Sequence, residues 1–164
     1  MKYKAAIFDL DGTIADTVES IAYVGNRTLE HFGLPAIPVK DYNFYAGDGA
    51  DELVRRMLAA VPGGDRADYE AVRVLYRKWF EEDPFYHVKP FDGILDLLEG
   101  LKKEGLKIAV FSNKPHRAAV EVVETIFGKD LFHKVQGQTE TIPRNPSPIG
   151  ALAIAREFGA KPEE

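Results

Sequence analysis

The chain has 164 residues, 45% hydrophobic and 29% charged, with a net charge of −5 and no cysteine. This is the profile of a globular domain of ordinary size, or of a core with a small insertion, and it excludes disulfides and thiolate chemistry. The acidic balance argues against general nucleic-acid binding, which needs a basic excess, and no stretch approaches the ~20 apolar residues of a membrane span.

The opening Met1-Lys2-Tyr3-Lys4 leads into an apolar run too short for a signal peptide. Together with the missing cysteines this predicts a cytoplasmic protein. Residues 3–10 read as a short central strand. From about Asp16 the period becomes helical: Ile21, Val24, Thr28 and Phe32 share a face and Gly33 stops the helix. Leu34 to Tyr45 holds two prolines and reads as a loop. Asp51 to Ala60 forms a second helix through Leu53, Val54, Met57 and Leu58, closed by Pro62-Gly63-Gly64. A third runs from about Ala67 to Glu82, with Tyr69, Val72, Tyr76, Trp79 and Phe80 as its apolar stripe. Three helices in succession, with no strand between them, predict a helical module inserted after the first strand.

After Asp83-Pro84 the pattern changes. Ile94, Leu97, Leu98 and Leu101 mark a helix ended by Gly105, and Leu106 to Phe111 is a strand leading into Ser112-Asn113-Lys114-Pro115. A further helix buries Ala119, Val122, Val123 and Ile126, Phe132 to Gly137 is a short strand, and Pro148 to Phe158 is a last helix on Ile149, Leu152, Ala153 and Phe158. Strands alternating with helices predict parallel βαβ units.

The residues that carry chemistry sit at strand ends. Asp9 and Asp11 stand at i and i+2, after an apolar run and before Gly12. Alternate residues of a strand face one side, roughly 6–7 Å apart, and like charges that close need a cation or a proton between them. In open α/β sheets, ligands bind beyond the carboxyl ends of the strands. Ser112-Asn113 end the second strand, and the helix opening near Pro115 offers free N–H groups suited to phosphate. If the two strands are neighbours, a carboxylate-held Mg²⁺ beside phosphate-shaped donors describes a phosphoryl-transfer site. Taken alone, Ser112-Asn113 is equally a turn and helix cap. Lys114 reads as a solvated charge near the site, and His31, His87, His116 and His133 show no ligand spacing.

Phe8-Asp9-Leu10-Asp11-Gly12-Thr13 resembles the first motif of the haloacid dehalogenase-like hydrolases, and Phe111-Ser112-Asn113-Lys114 resembles the second. The helices match the cap of that family's phosphoglycolate phosphatase-like branch. Tyr45 to Leu53, with Gly47, Asp48 and Gly49, is similar to its substrate-facing turn, and Lys89 to Gly93 to its return to the core. The resemblance implies a three-layer, Rossmann-like α/β core of parallel strands (residues 1–15 and 84–164) with an inserted helical cap (16–83). It implies a Mg²⁺-dependent hydrolase of a small anionic phosphomonoester, working through an aspartyl-phosphate. Asp9 would be nucleophile and metal ligand. Asp11 would be general acid and base, lending its carbonyl to the metal. Gly12, Thr13, Ser112 and Asn113 would hold the phosphoryl oxygens, and Gly47, Asp48 and Gly49 would face the substrate from the cap.

Two departures qualify this. The family's third motif is a lysine before proline; the matching segment is Pro143-Arg144-Asn145-Pro146-Ser147-Pro148, with Asn145 in the lysine's place and Ser147 where an acidic residue is usual. Arg144 would point elsewhere if the backbone follows the family. Family members also continue beyond Ala160 to Glu164 into another strand with a fourth, acidic motif. The expectation is therefore a C-terminally incomplete core of about three strands, from a truncated or partial sequence in preference to a diverged variant whose open edge a partner covers, with the activity of the chain left open by Asn145 and the missing fourth motif. The alternative is a non-catalytic phosphate- or metal-binding protein on the same scaffold.

Overall fold

The computed structural model describes residues 3–164. The chain divides into two compact units: residues 1–16 with 89–164, and residues 17–88.

The first unit begins with β1 (Ala5–Phe8) and β2 (Ala15–Asp16). The second contains α1 (Val18–His31), the short α2 (Tyr42–Tyr45), α3 (Ala50–Ala60) and α4 (Tyr69–Glu82). The chain then returns to the first unit through β3 (Lys89–Pro90), α5 (Ile94–Lys103), β4 (Lys107–Pro115), α6 (His116–Phe127), β5 (Lys134–Gln138) and α7 (Ile149–Glu157).

The architecture of the first unit is the expected α/β one, built on a parallel sheet of order β1-β4-β5. Register pairs Phe8 with Val110 and Val110 with Val135. β2 and β3 pair antiparallel, Ala15 opposite Pro90. As the middle strand, β4 is buried from Ile108 to Lys114, which explains its unbroken apolar start. Ala109 and Phe111 pack with Ile154 of α7, flanked by Ile7, Ile142 and Phe158.

In the first unit four local expectations need correction. The strand expected to be central, over residues 3–10, is β1, Ala5–Phe8, at an edge of the described sheet with β4 in the middle. The second strand runs to Pro115 rather than stopping at Phe111, because β5 shifts register and pairs again at Pro115–Gln138. Ser112 to Lys114 are therefore strand residues and not a turn. In α5 the inward position is Leu98, fully buried, while Leu97 is 47% exposed. In α7 the buried residues are Gly150 and Ile154, while Ile149 and Leu152 face out. That helix is apolar nearly all round, so periodicity could not choose its face. The choice falls to Phe111, whose ring would lie 2.2 Å from a Cβ at position 150.

In the helical unit, α3 buries Leu53, Val54, Met57 and Leu58 as the spacing requires. α4 buries Val72, Tyr76 and Phe80, with Asp68 capping it by accepting from the N–H groups of Glu70 (3.0 Å) and Ala71 (3.3 Å). Tyr69 and Trp79 are only half-buried, and the Arg27 guanidinium lies 4.2 Å from the Trp79 ring. The segment expected as loop carries α2, whose Tyr42 is fully buried. Its hydroxyl donates to Asn26 Oδ1 (3.0 Å), and that oxygen also accepts from the Ile37 N–H (2.8 Å). Among the described residues, no helix is long and apolar enough to cross a membrane.

Candidate active site

β1 ends at Phe8, and the chain turns at once through Leu10–Ala15. The Leu10 carbonyl accepts from the N–H groups of Thr13 (3.3 Å), Ile14 (3.2 Å) and Ala15 (3.0 Å), and Gly12 N–H donates to Ala15 (2.9 Å). Leu10 and Ile14 are buried and pin the loop to the unit. Gly12 sits at φ +75°, a left-handed conformation costly for other residues. This loop presents Asp9, Asp11 and Thr13 at the carboxyl end of the sheet.

Asp9 as a residue is open to solvent, yet protein atoms crowd its carboxyl, and that desolvation raises its pKa above the ordinary 3.8. Hydrogen bonding to the Leu10 backbone opposes the rise, the Asp11 charge adds to it, and hydrogen bonds with the Thr13 and Ser112 side chains oppose it again. The balance is upward: the site holds its carboxylate under pressure.

The parallel register brings the end of β4 beside Asp9. Ser112 Oγ accepts from the Lys114 N–H (3.1 Å) and is hydrogen-bonded to the Asp9 carboxyl. Asn113 is committed to another segment. Its Oδ1 accepts from the Asn145 N–H (2.8 Å) and its Nδ2 donates to the Asn145 carbonyl (3.2 Å). The side chain thus ties the loop of residues 143–147 to the sheet end.

Lys114 is the main surprise. Expected in solvent, its side chain is only 2% exposed, and its Nζ lies 2.9 Å from Asp11 Oδ1, itself 15% exposed. Lys114 lies in the stretch of β4 beyond Phe111, where the pairing with β5 shifts register and every residue from Ser112 to Lys114 is buried. The Ser-x-Lys spacing was visible in the sequence; the continuation was not.

In the helical unit, Gly47, Asp48 and Gly49 precede α3, and Gly49 accepts from the Leu53 N–H (3.1 Å). Asp48 Oδ2 lies 2.5 Å from Arg56 Nη2, and the same guanidinium donates to the Tyr45 carbonyl (3.2 Å). Arg56, unremarked in the sequence, thereby clamps this turn. The histidines have local partners. The Nδ1 atoms of His116 and His133 accept from the N–H groups of Gly137 (3.2 Å) and Ile108 (3.1 Å), His87 meets Glu19 at 2.6 Å, and His31 packs edge-on against Trp79.

Asp9 and Asp11 bring two carboxyl groups within electrostatic reach of each other. Among the described residues, no group of three or more acidic, histidine or cysteine side chains gathers around a point.

Residues 6–164 match the haloacid dehalogenase-like hydrolase family. A phosphoglycolate phosphatase of Aquifex aeolicus is 30% identical over 161 residues, which cover 98% of this chain and 73% of that protein. One from Thiobacillus denitrificans is 28% identical over 163 residues, covering 98% and 72%. The crystal structure of a predicted phosphoglycolate phosphatase from Haemophilus somnus has the same fold, with a TM-score of 0.90 at 22% identity over 99% of this chain and 75% of that one.

Proposed function

The chain belongs to the haloacid dehalogenase-like hydrolases, and within that family we propose that it hydrolyses a small anionic phosphomonoester, phosphoglycolate-like in size and charge, through an aspartyl-phosphate on Asp9. One observation carries this reading: the Asp9 carboxyl stands at the end of β1, hydrogen-bonded to Thr13 and Ser112 and facing the charge of Asp11. A carboxylate oriented from two elements and poorly solvated is poised as a nucleophile.

The Asp9 oxygen bonds to phosphorus as the ester P–O bond breaks, and Asp11, which takes up a proton from solvent as the anionic substrate docks, gives that proton to the departing alkoxide. Asp11 then takes a proton from a water that attacks the same phosphorus. The aspartyl–phosphorus bond breaks, inorganic phosphate leaves and Asp9 is restored. Gly12, Thr13 and Ser112 hold the phosphoryl oxygens, and Asn113 contributes by anchoring residues 143–147. The Asp9 carboxylate and the Asp11 carbonyl would hold Mg²⁺, which would mask negative charge at the site. The helical unit, through Gly47, Asp48 and Gly49, is the substrate-selecting cap.

A second reading has one observation in its favour. The loop anchored by Asn113 presents Asn145, with no ammonium of its own, and loss of such a contact costs about 10²–10³ in rate. On that reading the scaffold binds phosphate or metal without turnover. Phosphate release from an aryl phosphate, with and without Mg²⁺, separates the two. Metal-dependent release that Asp9→Asn abolishes supports the hydrolase; no release above background overturns it.

A further inference from the structure

The Asp9–Asp11 pair alone would give the site two negative charges, and a phosphomonoester brings up to two more. On the hydrolase reading this is a poor place for an anion to dock, and Asn145 does nothing to improve it. Yet one ammonium is built into the site from elsewhere. The Lys114 side chain is 2% exposed and reaches Asp11 Oδ1 at 2.9 Å from β4, the strand that also delivers Ser112 to Asp9. A lysine is seldom placed so deep without a paired charge, and here the partner is the second carboxylate of the reacting pair.

We propose that Lys114 supplies, from the adjacent strand, the positive charge that position 145 lacks: it neutralises Asp11 and holds its Oδ1, so that Asp11 is oriented and the site accepts a phosphoryl anion. Lys114 is a positioning and charge-compensating residue that acts through Asp11. Three features belong to the same device. β4 runs through a register shift between Phe111 and Pro115, and Lys114 is buried within that stretch. The Lys114 N–H donates to Ser112 Oγ, so one residue sets the geometry of the hydroxyl on Asp9 and of the carboxylate beside it. Asn113, between them, fastens the Asn145 backbone, which keeps that loop at the same strand end. The charge has moved along the rim of one site without leaving it.

The inference rests on the hydrolase reading, and its test has two arms. Lys114→Gln keeps a donor to Asp11 and removes the charge, Lys114→Arg restores the charge, and Lys114→Gln/Asn145→Lys returns it at the other position. Each variant is first checked for native circular dichroism and a cooperative melt. In the turnover arm, on an aryl phosphate with Mg²⁺, Lys114→Gln is expected to lower kcat by about 10²-fold, with Lys114→Arg and the double variant each recovering about tenfold or more. In the second arm, inorganic phosphate is titrated calorimetrically into metal-free protein, and affinity should fall in Lys114→Gln and return in the other two. A purely structural lysine would change the melt, but a lysine at position 145 would not repair that. Phosphate binding with this pattern in a chain that turns nothing over keeps the inference and refutes the hydrolase reading. Turnover and phosphate affinity both indifferent to Lys114→Gln overturn the inference alone. A chain with neither turnover nor phosphate binding overturns both.

Discussion

Replacing Lys114 by Met leaves the Asp11 carboxylate, 15% exposed, without the ammonium now 2.9 Å away. Exposed ion pairs contribute about 0–1 kcal/mol, while removing one member of a fully buried pair costs about 3–5 kcal/mol because a charge is left stranded. Here one partner is wholly buried and the other keeps slight access to water, so the loss should fall at about 2–4 kcal/mol. In a chain of this size each kcal/mol moves the thermal midpoint by about 2–4 °C, and the shift should therefore be readily resolved. Asp11→Asn should also destabilise, by stranding the ammonium instead. The double replacement removes both charges, so its cost should fall short of the sum of the single ones by about 1–3 kcal/mol. Urea unfolding at neutral pH, with a chelator present so that Asp11 meets only its protein partner, measures all four corners of the cycle. The coupling should persist in high salt, which screens exposed pairs far more than buried ones. A coupling below about 0.5 kcal/mol is within ordinary additivity and would refute the burial of this pair.

Asp9→Asn should abolish phosphate release and yet raise the thermal midpoint at pH 7. Desolvation holds the native Asp9 pKa above its ordinary 3.8, so between those two values the folded chain keeps a proton that the unfolded chain has released, and wild-type stability falls as pH rises through that window. The advantage of Asn should therefore vanish near pH 3, and a variant less stable than wild type at pH 7 would refute the reasoning. Gly137→Ala should cost about 1–3 kcal/mol by overpacking, because its Cβ would lie 2.6 Å from His116 Cα and 2.7 Å from the Lys114 carbonyl, both backbone atoms. An unchanged urea midpoint would show that β5 and α6 can part there without strain.

What could be read in advance divides along a physical line. The helices α3 and α4 were legible because their burial repeats with the helical period: Leu53, Val54, Met57 and Leu58 lie inside as spaced. α7 was not, since a helix apolar nearly all round takes its orientation from its neighbour, here the Phe111 ring. The same contrast runs through the site. Two carboxylates at a strand end, and a hydroxyl at the end of another, carry their meaning in local order, so Asp9, Asp11 and Ser112 could be singled out from the sequence alone. Arg56 closing on Asp48, and Asn113 fastening the Asn145 backbone 32 residues away, could not.

The sequence by itself determined the parallel α/β plan and the run of helices between its first strands, and it singled out the residues from which the proposed reacting centre would be made, because periodicity and strand ends are properties of neighbouring residues. Only the tertiary structure decided where the charge beside that centre comes from. A lysine after a strand belongs to solvent by default, since hydration of an ammonium is hard to replace. Whether Lys114 is an exception depends on how β4 runs beyond Phe111, where its pairing with β5 shifts register, and on a carboxylate 103 residues away placed to meet it.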